Sequence, residues 1–549
     1  MRQLAIEGVY RLSFALETNK SSRSIGWLLA SEIWRTQRTE ELVFLHRVCA
    51  RAMPGCSGFR CAQTHGTMYS TGHHFEPPAP PLAPDRVTGL GVLMRLRRNA
   101  FSAFPARCFS APAIKYRLGI TDLILANTPD AMRHVLADHP DRFRRVRATG
   151  RMLGPLLGRG LAAAEGEAWR RQRRTLAPAF TPRTLPVLSQ HIAACAEATC
   201  ARIEASSDGS IDLLSAMQDL SLDIAARSMF SLETARFGPE LRRLLVFYSA
   251  TIGRPRASDF LLPSKLLTPT DVRRALFRRR WSRIIPSVIA ERRATASPDT
   301  PRDMFDMLAD AYKDQDEGLL ADEVSTMLFA GHETTGLTLF WACFLLANAP
   351  EWQDAVREEA RACDVSPSSA GEALARLPLT RAVVEETLRL YPPAYMSARA
   401  VRDPHDLCGV PVQSGSLVLL PFCMLHRNPA FWASPSRFDP SRFLDAARPD
   451  RFTFLPFGAG PRVCIGAQLA IAESMLVLAR LLRGNAIAME HADPVQPIGS
   501  FSTRPSHVPV FKLRRGMPQA PVKSRRARSM TELDATAKAR VRSDGNADV

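Results

Sequence analysis

Nowhere in this 549-residue chain are two cysteines separated by just two residues, and its eleven cysteines follow no regular spacing. That argues against a structural zinc site and a disulfide framework, and fits thiols buried in a reducing cytoplasm. Long apolar runs are missing too. No stretch of eighteen or more uncharged apolar residues occurs, and LTLFWACFLLANA at 337–349 is too short to cross a bilayer. The N-terminus lacks the basic, apolar and small-residue order of a signal peptide. Acidic residues are in the minority, 54 against 72 lysines and arginines, for a formal net charge of +18. Such a balance suits nucleic acid, an anionic membrane or an acidic protein. Without zinc-finger spacing or a basic heptad array, nucleic acid has no support. These absences predict a cytoplasmic protein with no transmembrane anchor and no nucleic-acid partner.

What is present is a globular composition, 46% hydrophobic and 23% charged, in a chain long enough for a large core. Residues 1–67 hold three of the cysteines and no sustained periodicity. Met68 then opens MYSTGHHFEPPAPPLAPDR, a polar, proline-rich lead-in of the kind that precedes a domain. We read Met68 as the true start and 1–67 as an over-extended frame, against the competing reading of a disordered or targeting extension. The domain is placed at 85–515, after an extension of 1–84, and the basic tail 516–549 is expected to be disordered. Inside it, amphipathic helical patterns run over 182–207, 211–230, 319–348 and 352–364. Thr128 with Pro129 reads as a helix N-cap and first position. Strand-like pieces are few: IKYRLG, TDLILA, GSLVLLP and VPVFKL. The expected class is mostly α with small peripheral β-sheets.

One short stretch carries chemistry. FGAGPRVCIG, 457–466, sets Cys464 in a glycine-rich turn that feeds a helical pattern, IGAQLAIAESMLVLARLL. A buried core thiol is the ordinary role of cysteine. Here Gly458, Gly460 and Gly466 permit tight turns and close approach of something flat or bulky. The first N–H groups and the dipole of the helix would stabilise a thiolate, which serves as nucleophile or metal ligand. No histidine lies nearby in sequence to act as its base, which favours the ligand. Arg462 supplies a fixed cation suited to a carboxylate. Phe457, Gly460, Arg462, Cys464 and Gly466 resemble the haem-binding loop of the cytochrome P450 family. The resemblance implies Cys464 as axial thiolate of a haem b iron, Arg462 beside a haem propionate, and the P450 fold around them.

Further elements of that family follow. TMLFAGHETTGLTLFW, 326–341, is an apolar helix interrupted by polar residues. Gly331 weakens it, and the Thr334 hydroxyl can bond the Ala330 carbonyl one turn back, which bends or opens a helix. Ala330, Gly331, Glu333, Thr334 and Thr335 resemble the oxygen-activating segment, which implies that Thr334 and Glu333 manage protons. His332 is read as structural. Glu386 and Arg389, three apart, resemble the buried ExxR pair, with Arg442 of FDPSRF as third partner. Trp169 and Arg173 in EAWRRQRR resemble the WxxxR helix whose side chains reach a propionate. Arg399 aligns with a residue near the other propionate, and His426 with one near the haem edge.

The resemblance thus implies a monooxygenase that inserts one atom of dioxygen into a hydrophobic small molecule, terpenoid or fatty-acid-like. Electrons are expected from a separate donor such as a ferredoxin or flavodoxin, since no flavin or iron–sulfur motif is read here. Arg170, Arg171 and Arg174 would attract an acidic donor. By the same analogy the pocket is expected from 144–160, 240–265, 326–338, 393–398 and 499–504, with Leu328, Phe329, Ala394, Met396 and Phe501 as apolar candidates. A haem-thiolate peroxygenase or isomerase would not need the Glu333–Thr334 pair. A non-enzymatic haem sensor would carry a second module, and none is read in the sequence.

Overall fold

The most apolar helical pattern of the sequence becomes an unbroken helix of 31 residues, Glu317–Ala347, in the computed structural model. It is apolar on all sides, so it must be surrounded. The helices before it in the chain are α1 (Gly89–Arg98), which packs in a separate apolar cluster, α2 (Arg147–Leu157), α3 (Gly166–Leu176), α4 (Leu185–Glu204), α5 (Leu213–Phe230) and α6 (Pro269–Ala294). The long helix itself is α7, followed by α8 (Pro378–Leu390) and α9 (Ala467–Gly484). The structure describes residues 75–118, 121–205, 210–234, 236–262, 266–295, 303–313, 317–444, 448–490 and 493–515. The expectations for residues 1–67, for Met68 as start and for the tail 516–549 lie outside them. Residues 75–84, set before the boundary at 85, touch the fold: Tyr391 Oη donates to the Pro78 carbonyl at 2.9 Å, and Phe438 N to that of Phe75 at 3.1 Å.

α7 crosses α5 at very short range, and its glycines are the reason. A Cβ on Gly331 would lie 3.1 Å from Ala225 Cβ, and one on Gly336 3.0 Å from Gln218 Cα. From the sequence, Gly331 and Thr334 are expected to weaken regular helix, and the Thr334 bond to bend or open it. Helical structure instead continues through both, and Gly331 serves the close crossing. The four helical patterns appear at Leu185–Glu204, Leu213–Phe230, Glu317–Ala347 and Pro350–Arg361. Thr128 caps as its spacing predicts, accepting from Ala131 N at 3.3 Å.

Sheets sit at the periphery. The largest has five strands: β1 (Ala113–Leu118), β2 (Thr121–Ala126), β3 (Phe143–Arg145), β4 (Ser397–Val401) and β5 (Leu417–Leu420), in the spatial order β1-β2-β5-β4-β3. β2 and β5 run parallel, the other pairs antiparallel. The edge pair matters for function, because its register sets Arg145 of β3 opposite Arg399 of β4. VPVFKL contributes the strand Phe511–Arg515, which pairs with Asn485–Met489. The fold is mostly helical with small sheets, as expected.

Candidate active site

Short-range geometry shapes the loop 457–466. Cys464 N donates to the Phe457 carbonyl at 3.0 Å and Val463 N to that of Gly460 at 3.1 Å, which closes the turn. Gly460 has φ +71°, and a Cβ there would stand 1.7 Å from the Leu136 carbonyl oxygen. Backbone meets backbone at that point, and glycine is the residue that permits it. α9 begins at Ala467, three residues beyond Cys464. The Cys464 side chain is exposed, and it lines a cavity of about 410 Å³. Desolvation within the loop pushes its thiol up, while the Gly466 amide and the Arg173 guanidinium pull it down.

The rim of the cavity is cationic. Arg145 Nε and Arg462 Nη2 both reach Glu165 Oε1, at 3.2 and 3.1 Å. Arg399, opposite Arg145 in the sheet, donates to Ser397 Oγ at 2.7 Å and to the Ala398 carbonyl at 2.9 Å. Two guanidiniums therefore share one carboxylate, with a third beside them. Burial, then repulsion from Arg462, holds both Arg145 and Arg399 down to about 10. The Arg462 guanidinium lies 4.4 Å above the centre of the Trp169 ring, and Arg173 Nη1 donates to the Val463 carbonyl at 2.7 Å. α3 thus lays Trp169 and Arg173 along the cysteine loop. Opposing apolar surface comes from Leu161, Met229, Met327, Ala394 and Met396. A flat apolar group with two carboxylates and a metal for the thiol fits this wall.

From α7, Thr334 Oγ1 donates to the Ala330 carbonyl at 2.7 Å, and both residues line the same cavity. The sequence matches the family described as Cytochrome P450 across residues 78–508. The chain belongs to the cytochrome P450 family. Among curated relatives, cyclooctat-9-en-7-ol 5-monooxygenase of Streptomyces melanosporofaciens is 33% identical, covering 73% of this chain and 87% of its own length. A cytokinin hydroxylase of Arabidopsis thaliana is 29% identical, covering 64% of this chain and 70% of its own. Among solved structures, a retinoic acid bound cyanobacterial CYP120A1 shares the fold at a TM-score of 0.66 and 24% identity, covering 80% of this chain and all of that one. The heme domain of cytochrome P450DA gives 0.67 at 22% identity, covering 80% of this chain and 99% of its own. As a cytochrome P450, this protein is a monooxygenase whose cofactor is thiolate-ligated haem.

Other residues singled out in the sequence lie behind the cysteine loop. Glu386 and Arg389 of α8 are fully buried, with Arg389 Nε 2.6 Å from Glu386 Oε2. Arg389 also donates to the carbonyls of His426, Pro435 and Arg437, at 2.9, 2.7 and 3.0 Å. Arg442 Nε stands 3.5 Å from Glu386 Oε1. This cluster stitches α8 to the segment that precedes the cysteine loop. His426 supports the loop directly, since its Nε2 accepts from Leu455 N at 2.8 Å. Burial holds its imidazole down to about 3, so it is a neutral acceptor.

Glu333 lies away from the cavity. Adjacent helical residues diverge by about 100°, and its carboxylate, 1% exposed, faces the C-terminal hairpin. There it accepts from Ser502 Oγ at 2.6 Å and Arg504 Nη2 at 2.7 Å, and from Ser249 Oγ at 3.3 Å. Of the apolar pocket candidates, Ala394 and Met396 line the cavity. Phe329 and Phe501 meet edge to face at 5.3 Å instead, and Leu328 is fully buried in the core. No described residue of 240–265 or 499–504 lines this cavity.

Sequence reasoning named none of Arg145, Glu165, Arg504 and Glu473, although the expected pocket ranges 144–160 and 499–504 include Arg145 and Arg504. Glu473 of α9 lines the cavity, is 4% exposed, and leaves Oε1 without a partner among the described residues. Burial pushes its carboxyl up to about 8. A lone acid in the apolar run AIAESMLVLA was the signal available for it.

Proposed function

We propose that Cys464 is the thiolate ligand of the haem iron, and that this P450 oxygenates a hydrophobic small molecule of terpenoid or fatty-acid type. The observation that carries this is the placement of Cys464, Thr334 and the three cavity arginines on one wall system. Bound haem supplies the electron-transfer and dioxygen chemistry. Arg145, Arg399 and Arg462 would hold its carboxylates, displacing Glu165 from Arg145 and Arg462. Trp169 and Arg173 fix the loop beneath.

The Thr334 hydroxyl is the group of the Glu333–Thr334 pair that can present a proton at the cavity, because it faces it. Glu333 takes part only through a relay, since Arg504 and the two serines hold its carboxylate. Apolar walls of Leu161, Met229 and Met327 exclude water and favour a substrate without charge. An oxygenated alicyclic substrate is supported by the Streptomyces relative, a cyclooctat-9-en-7-ol 5-monooxygenase. Electrons from a separate acidic ferredoxin or flavodoxin fit the exposed Arg171 and Arg174 on α3, whereas Arg170 is paired with Glu167. A cytoplasmic location accords with the absence, among the described residues, of any helix long and apolar enough to cross a membrane.

The test is the absorption spectrum of reduced, carbon-monoxide-bound protein beside Cys464→Ser. A strongly red-shifted Soret band that the variant loses supports the assignment. A band typical of histidine-ligated haem, or haem retained unchanged in the variant, would remove Cys464 from its role.

A further inference from the structure

Three histidines from two distant parts of the chain meet beside the cofactor cavity. The rings of His134 and His139 pack edge to face with centroids 4.6 Å apart, and His405 stacks on His134 at 5.3 Å. Phe143 stands nearly perpendicular to both His134 and His405, at 6.2 and 5.3 Å. Stacked rings turn faces rather than lone pairs to one another, and among the described residues no three such side chains could hold a metal ion. Each member of the cluster belongs to a segment that lines the cavity. His134 and His139 bracket Leu136, Phe143 opens β3 with its Arg145, and His405 follows β4 with its Arg399. Backbone bonds join the same segments. His139 N donates to the His134 carbonyl at 3.0 Å, Arg142 N to that of His139 at 3.1 Å, and Arg402 N to that of Arg142 at 2.8 Å.

The arrangement suits neutral rings and opposes charged ones. His405 Nδ1 donates to the Asp403 carbonyl at 2.7 Å, which leaves Nε2 as the atom that would take up a further proton. That Nε2 and the Nε2 of His134 are buried without a partner among the described residues, so an N–H there would lack an acceptor. Burial, then His139, His405 and Arg142, hold the His134 imidazole below its ordinary 6.5, while Asp138 pulls it up. The folded chain therefore resists a proton that the unfolded chain accepts near 6.5, and acidification below that value weakens the fold. We propose that this cluster is an acid-sensitive catch on the cofactor cradle: protonation forces the rings apart and frees the segments that carry Leu136, Arg145 and Arg399. The proposal rests on the reading of those arginines as holders of the haem carboxylates.

The test follows haem transfer from the full haem-loaded chain to excess apomyoglobin between pH 7.5 and 5.5. The wild-type rate should rise on acidification, and His134→Gln/His405→Gln should remove most of that rise. One pKa unit corresponds to tenfold in equilibrium, so the two rates should differ by roughly tenfold at pH 5.5 and little at pH 7.5. His139→Gln, at an exposed ring, should act in the same direction and carries the test if the double variant misfolds. Urea midpoints of the haem-stripped chain give a second readout, in which wild type should lose more stability than the variants below about pH 6.5. Equal pH dependence of wild type and folded variants would overturn the proposal. So would midpoints that diverge while transfer does not, since the cluster would then fail to reach the cradle. Failure of the Cys464 assignment shows separately, in the carbon-monoxide spectrum taken at pH 7.5 before transfer begins.

Discussion

At Glu333 a buried carboxylate depends on one cation for its charge balance: Arg504 bonds both of its oxygens, at 2.7 Å each, while two serines add neutral donors. Removing one partner of a buried pair costs about 3–5 kcal/mol, because the other charge stays behind. Arg504→Met is therefore expected to lower stability to urea by about 3 kcal/mol, and Glu333→Gln in the same chain to restore most of it. A single variant as stable as wild type would show that the serines suffice. Thr334 differs. Its side chain gives up one bond to a backbone carbonyl, so Thr334→Ala should cost less than about 1 kcal/mol. Product formed per dioxygen consumed should nevertheless fall severalfold, measured by oxygen uptake against product. The bond from Thr334 to Ala330 was legible in the sequence, because it joins neighbours one turn apart. The bond from Arg504 to Glu333 spans 171 positions, and nothing local announces it.

Two glycines separate what the cysteine loop requires from what α9 tolerates. Gly460 has a positive φ and a carbonyl oxygen where its Cβ would go, whereas Gly484, at the end of α9, has open space around it. Gly460→Ala is expected to abolish haem incorporation, read from the Soret absorbance per protein. Gly484→Ala should keep it and add about 0.5–1 kcal/mol of stability. At the start of α7, Glu323 accepts from Leu161 N at 2.9 Å and from Tyr312 Oη at 3.4 Å in a fully buried setting. Burial, with a smaller push from Asp322, raises its carboxyl from 4.5 to about 7. The folded chain then holds that proton more tightly than the unfolded one. Stability therefore declines as pH climbs from about 4.5 to 7 and levels off above. Glu323→Gln should match wild type near pH 5 and exceed it by about 3 kcal/mol at pH 8, from urea midpoints at both. Equal slopes would show that Glu323 ionises normally. α7 itself was readable from its apolar run. α6 was not, because its arginine-rich sequence, RRALFRRRWSR, masks the buried stripe of Phe277, Trp281, Ile285 and Val288.

Over the whole molecule, the proposed haem wall exists only when distant segments meet. Arg145 comes from the sheet edge, Trp169 from α3, Thr334 from α7 and Cys464 from the loop before α9. Motif residues with a recognisable neighbourhood could be named beforehand. Arg145 could not, because its place follows from the pairing of β3 with β4. The unfolded chain has no such wall, so haem binds the native state and stabilises it by mass action, about 4 kcal/mol at a thousandfold excess over Kd. Protein stripped of haem is therefore expected to melt lower, with a midpoint that climbs as the logarithm of added haemin. Arg145→Gln with Arg399→Gln should flatten that climb. In the stripped protein the same change should cost little or even stabilise, because burial and the neighbouring Arg462 already disfavour both charges. The sign of the two effects separates a cofactor role from a structural one. Arginines kept for the fold would lower the stripped midpoint and leave the haemin dependence unchanged. Arginines kept for two carboxylates would do the reverse.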